Sequence, residues 1–141
     1  MLSSTVAILP MANMAASTRT TTVWSGSVTL PDGYTVESGD ILIVQAGTNI
    51  FLGNDKDILV AGRMTVQGTT ASPVILDAPT GNHDGIIFNY TSSGLGSKID
   101  NLTIKNSEYG MTIYSSDPVL TNLRVENADR VAVDLFDSAS P

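Results

Sequence analysis

From Ser27 onward the apolar residues alternate with polar ones in short runs, and nowhere do they recur at helical spacing. The runs are Ser27-Leu30, Tyr34-Val36, Ile41-Val44, Asn49-Leu52, Asp57-Val60, Arg63-Val66, Val74-Leu76, Gly85-Phe88, Leu102-Ile104, Gly110-Ile113, Leu120-Val125 and Arg130-Leu135. Turn-forming clusters separate them: Pro31-Asp32-Gly33, Ser38-Gly39-Asp40, Gly53-Asn54-Asp55, Thr80-Gly81-Asn82 and Ser93-Gly94-Leu95-Gly96. The pattern predicts an all-β chain.

The runs also repeat. Asn101-Leu102-Thr103-Ile104-Lys105-Asn106 returns 21 residues later as Asn122-Leu123-Arg124-Val125-Glu126-Asn127. Val44-Gln45 matches Val66-Gln67 at an interval of 22, and Gly47-Thr48 matches Gly68-Thr69 at 21. Gly85-Ile86-Ile87-Phe88 matches Gly110-Met111-Thr112-Ile113 at 25, which in turn matches Ala132-Val133-Asp134-Leu135 at 22. Ser115-Ser116-Asp117-Pro118 recurs as Ser138-Ala139-Ser140-Pro141. A sandwich has no reason to repeat its turn chemistry on such a period, whereas a coil that returns to one place every lap does. The expected fold is a right-handed, single-stranded parallel β-helix, a solenoid of about five rungs with strands about 4.8 Å apart.

Stacking in that register has local consequences. Leu102, Ile104, Met111 and Ile113 should lie under Leu123, Val125, Val133 and Leu135 in the interior. Asn101 over Asn122 and Asn106 over Asn127 should form amide ladders at the corners. Lys105 should fall beside Glu126, a neighbour worth about 0.2–1 kcal/mol, and Tyr109 beside Arg130. Glu108 beside Asp129 would be a like-charge mismatch.

With 141 residues, 42% hydrophobic and 15% charged, the chain can bury a core and is not disordered. The net charge of −7 carries no basic stripe, which argues against nucleic acid as a partner. With no cysteine there is no disulfide framework, thiolate metal site or cysteine nucleophile. Residues 1–22 read as a signal peptide, whole or incomplete, and a Thr-rich lead: an apolar run, Val6-Ala7-Ile8-Leu9-Pro10-Met11, precedes the small residues Ala15 and Ala16. The positively charged start of such a signal is missing, and a loosely packed arm is the other reading. No run reaches the roughly 18 apolar residues of a membrane span. Residues 23–141 then form the solenoid, with Trp24 placed ahead of the first rung as a cap.

Val23-Trp24-Ser25-Gly26, Tyr34-Thr35-Val36, Gly39-Asp40-Ile41-Leu42-Ile43, Ala46-Gly47-Thr48, Gly62-Arg63-Met64-Thr65-Val66-Gln67-Gly68-Thr69 and Pro73-Val74-Ile75-Leu76 together resemble the opening of secreted parallel β-helix proteins of bacteria and archaea. Tyr109-Gly110-Met111-Thr112-Ile113 and Leu120-Thr121-Asn122-Leu123-Arg124-Val125 resemble the generic repeats of the pectin-lyase-like superfamily. The resemblance implies an extracellular or cell-surface protein that continues into a larger chain, with polysaccharide or neighbouring surface proteins as partners. It also implies that polysaccharide lyases and hydrolases are among its relations.

The acids, however, do not recur in register: Asp100 aligns with Thr121, Asp134 with Thr112 and Asp117 with Ser140. No catalytic set and no cofactor is therefore expected, and the leading expectation is a structural or adhesive segment. The alternative is the first part of a polysaccharide-degrading enzyme with its catalytic rungs downstream. His83-Asp84 is the sharpest candidate for a base or a metal ligand, against an ordinary polar turn. Asp55 and Asp57 could hold calcium, although Lys56 between them favours a plain turn. Asn89 and Asn101 head N-x-Thr glycosylation acceptors, and Tyr90, Tyr109 and Tyr114 could stack on sugars.

Overall fold

The computed structural model describes residues 19–137. Each coil contributes one strand to each of three faces. The first coil holds β1 (Thr21–Trp24), β2 (Ser27–Leu30) and β3 (Tyr34–Val36), the second β4 (Ile41–Gln45), β5 (Asn49–Leu52) and β6 (Asp57–Val60). The third holds β7 (Arg63–Gln67), β8 (Val74–Asp77) and β9 (Gly85–Phe88). The fourth consists of β10 (Lys98–Asp100) and β11 (Leu102–Tyr114), the fifth of β12 (Val119–Thr121) and β13 (Arg124–Phe136). A single 3₁₀ turn, Tyr90–Ser92, is the one helical element among the described residues.

The first face is a five-stranded parallel sheet in the order β1-β4-β7-β10-β12. The other two faces join into one sheet because β11 runs unbroken round a corner. Its residues 102–104 lie beside β8, its residues 111–113 lie beside β9, and β13 follows it along both stretches. The chain is thus an all-β solenoid of about five turns, with every strand pair parallel.

Like residues stack on like, which is why the sequence repeats. Trp24, Val44, Val66, Ile99 and Leu120 form one column on the first face. Ile50, Leu76, Ile104 and Val125 form another on the second. On the third, Tyr34, Ile58, Ile86, Met111 and Val133 stack beside Val36, Val60, Phe88, Ile113 and Leu135. The middle members are buried, and each fully buried Leu, Ile, Val or Phe stabilises the coil by about 1.5–3 kcal/mol relative to exposure. The columns thin at the last rung, where Leu135 is 50% exposed.

Several expectations need correction. Leu102–Ile104 and Gly110–Ile113 are one strand, because the corner between them bends, with a bulge against β13, without ending the strand. The expected strand Leu120–Val125 is instead divided at Asn122, whose φ of 54° turns the chain from the first face to the second. β1 and β10 were not expected; β1 begins at Thr21, inside the Thr-rich lead. Trp24 does not stand ahead of the first rung: it lies in β1, opposite Val44, with its ring edge-on to Tyr34 at 4.9 Å. Gly47-Thr48 and Gly68-Thr69 are out of register, because Gln45 pairs with Gln67 while Ile75 N–H donates to Thr48 O. The loop from Thr69 to Pro73 is an insertion that shifts the phase.

Surface pairing also differs. Lys105 does lie opposite Glu126, but Glu126 forms its ion pair with Arg124. A bulge between Ser107 and Tyr109 sets Tyr109 opposite Val131 and brings Arg130 within 3.3 Å of Glu108. The feared Glu108–Asp129 mismatch is relieved, and Asp129 instead accepts from the Asn82 amide. The signal-peptide segment 1–16 and the repeat at 138–141 lie outside the described residues.

Candidate functional site

The corner that follows the second face is built around His83. Its backbone N–H donates to Asn106 O (3.1 Å), and its carbonyl accepts from Glu108 N–H (2.8 Å). Gly85 N–H donates to Nδ1 at 2.9 Å, so Nδ1 is unprotonated and Nε2 carries the proton toward Lys105 O, also at 2.9 Å. The side chain is fully buried, and burial pushes its pKa below the usual imidazole value. Both nitrogens are engaged with main chain, leaving neither a free base nor a metal ligand. His83 is a post that ties the corners of the third and fourth coils together.

Asp84, its neighbour in sequence, behaves differently. Its backbone N–H donates to Lys56 O (2.7 Å), and its carboxyl stays half-buried on the outer surface. Burial raises its pKa, and the nearby charges of Glu108, Asp55 and Asp57 raise it further. Asp57 is raised by burial too, against the opposing charge of Lys56. Asp55 sits in a left-handed turn (φ 57°) with its carboxylate bonded by the Asn54 amide (2.9 Å). Among the described residues, no group of three or more His, Asp or Glu converges as a metal site would require.

The four corner asparagines share the left-handed conformation, with φ between 51° and 57°. Asn127 Nδ2 lies 3.4 Å from Asn106 Oδ1, and Asn106 Nδ2 donates to Asp77 Oδ1 at 2.8 Å. Asn101 turns its amide to Asp100 Oδ1 (2.9 Å) and Gly68 O (3.4 Å) and not to Asn122. The carboxylate beside it is the stronger acceptor. As for the two acceptor sequences, Asn89 caps the 3₁₀ turn and takes Thr91 N–H on Oδ1 (3.1 Å), beside the exposed Tyr90. Asn101 lies within a packed corner.

A feature shaped to receive a ligand lies on the outside of the third face. A groove of about 290 Å³ is lined by Asp84, Ile87, Tyr109, Thr112, Tyr114, Asp134 and Phe136. Ile87, Thr112 and Asp134 are opposite one another on consecutive coils and form its floor. Along the strands, Asp84 and Tyr109 precede that row. Tyr114 and Phe136 follow it, stacked with centroids 4.9 Å apart and planes at 15°.

Sequence reasoning named Asp84, Tyr109 and Tyr114 singly and missed that they converge. It set Asp134 aside as an acid out of register and did not name Phe136 as a site residue. The available signal was the 22-residue spacing of Tyr114 and Phe136, which is the repeat interval itself.

No family model, curated protein or solved structure matches the chain.

Proposed function

We propose that the chain is a non-catalytic structural or adhesive segment of an extracellular or cell-surface protein, a rigid β-solenoid presenting its outer faces to glycans or neighbouring proteins. The observation that carries this reading is the groove of the third face, where three aromatic side chains and the Asp134 carboxylate lie on strands of consecutive coils and Asp84 stands in the turn just before β9. Hydrogen-bonded parallel strands fix such a surface at little entropic cost on binding. The resemblance of the repeats to the pectin-lyase-like superfamily, and the apolar N-terminal run followed by small residues, support export.

The test is accessibility on the producing cells. Protease added to intact cells should cleave the protein, and protection until lysis would overturn the surface assignment.

One observation favours the second reading, part of a polysaccharide-degrading enzyme. Asp84 and Asp134 line the same groove, and Asp84 is held above the usual carboxylate pKa, as a general acid in glycoside hydrolysis is. Incubation with neutral and acidic polysaccharides separates the two readings: release of reducing or unsaturated ends, abolished by Asp84→Asn, would establish the enzyme.

A further inference from the structure

The groove on the third face supports a narrower statement, which rests on the surface-presentation reading above. We propose that it is a glycan subsite for uncharged sugars, one or two rings of a longer neutral chain, and that it rejects uronate polymers.

Its rings suit the apolar C–H faces of a sugar. Tyr114 and Phe136 are each 40% exposed, and their mutual stacking removes the freedom that a lone surface aromatic would lose on binding. Ile87 supplies an apolar patch on the floor between Tyr109 and Tyr114. Around these rings the polar groups are hydroxyls and carboxylates: Thr112, Tyr109 and Tyr114 can donate or accept, and the carboxyl oxygens of Asp84 and Asp134 can accept from sugar hydroxyls. At about 290 Å³ the groove lies at the small end of ligand sites, which sets the limit of one or two rings.

The selectivity comes from sign. No Lys or Arg lines the groove and two carboxylates do; around Asp84 the acids Glu108, Asp55 and Asp57 outnumber the nearby cations, Arg130 paired with Glu108 and Lys56 beside Asp57. A uronate would bring its own carboxylate into that field without a cation to meet it, a built-in element of rejection. A neutral hexose or pentose brings only hydroxyls.

The experiment is calorimetric titration of the 141-residue chain with hexamers of glucose, mannose and xylose, and with oligogalacturonate of equal length at one ionic strength. At least one neutral hexamer should bind saturably, with oligogalacturonate at least about tenfold weaker. Tyr114→Leu and Phe136→Leu, which keep apolar bulk but lose the ring, should each weaken neutral binding about tenfold. Tyr114→Phe and Phe136→Tyr, which keep the rings, should retain more neutral binding than the Leu variants do, and each variant's circular dichroism and melting curve should match the parent. The double change Asp84→Asn with Asp134→Asn should narrow the gap between neutral and acidic ligands. Equal or tighter oligogalacturonate binding, no binding of any neutral hexamer, or neutral binding unmoved in both Leu variants would overturn the proposal. A chain that binds none of these sugars yet is cleaved on intact cells loses the subsite and keeps the surface role.

Discussion

At the scale of single residues, the corners decide the shape. Asn101, Asn106, Asn122 and Asn127 take a backbone conformation that costs other L-residues roughly 1–2 kcal/mol, and asparagine tolerates it because its short amide bonds locally. Asn106 adds a bond to the Asp77 carboxylate. Asn106→Ala should therefore destabilise the chain by about 2–4 kcal/mol, combining backbone strain with a lost charge-assisted bond. Asn106→Gly relieves the strain and should cost about half as much, as read from urea unfolding midpoints. Equal losses in the two variants would show that the left-handed conformation contributes nothing.

His83 gives the residue scale its pH dependence. Its pKa in the folded chain lies below the ordinary 6.5, so the unfolded chain binds the proton more readily. The stability it contributes is fully present above pH 6.5 and is lost as pH falls from there toward the folded pKa. Asp57 and Asp84 have the opposite sign: raised above 3.8, they add stability that is fully present below that pH and lost as pH rises past it. Unfolding midpoints should decline between pH 7 and 5, and the decline should flatten in His83→Gln. An unchanged slope in that variant would assign the effect to another group.

At the scale of elements, β11 and β13 have the same length and nearly the same pattern but different surroundings. β11 is paired on both sides, by β8 and β9 on one and by β13 on the other. Among the described residues β13 is paired on β11 alone, and its residues are all half-buried or exposed. In a solenoid each rung is stabilised by its neighbours, so the end rung is weakest. Amide hydrogen exchange should be slow across Leu102–Tyr114 and faster across Arg124–Phe136 by at least about tenfold. Equal protection would mean that something covers β13.

The repeat intervals made the alternation within these strands legible, because inward and outward positions differ in polarity on every lap. The bulge at Ser107 was not legible. It depends on how the corner closes around His83 and not on any residue type, yet it moves Arg130 to Glu108 and displaces the expected Tyr109–Arg130 pair. The break at Asn122 was missed for a related reason: the apolar residues on either side of it continue the alternation across the corner.

At the scale of the whole molecule, β12 and β13 pair on one side only among the described residues, beside partly exposed apolar side chains. Val119 is 52% exposed and Leu135 50%, and Leu123, Val125 and Val133 are only partly covered. Such an edge is a template for a further strand. The 141-residue chain should self-associate with rising concentration in sedimentation velocity, and Leu135→Lys with Val119→Lys should suppress it. A species that stays monomeric at every concentration would contradict this. Among the described residues no helix is long and apolar enough to cross a membrane.

The sequence by itself determined the all-β class, the parallel stacking and the columns shared by the last two coils, because a coil that buries one narrow interior must repeat its polarity each lap. Tertiary structure alone decided the rest: that His83 is a buried, neutral corner post, that Asn101 prefers Asp100 to Asn122, and that Asp84, Tyr109, Tyr114, Asp134 and Phe136 share a groove. Those outcomes depend on loops of unequal length, on one bulge and on which acceptor lies nearest. Such contacts are set by distances in space, which no periodic pattern along the chain encodes.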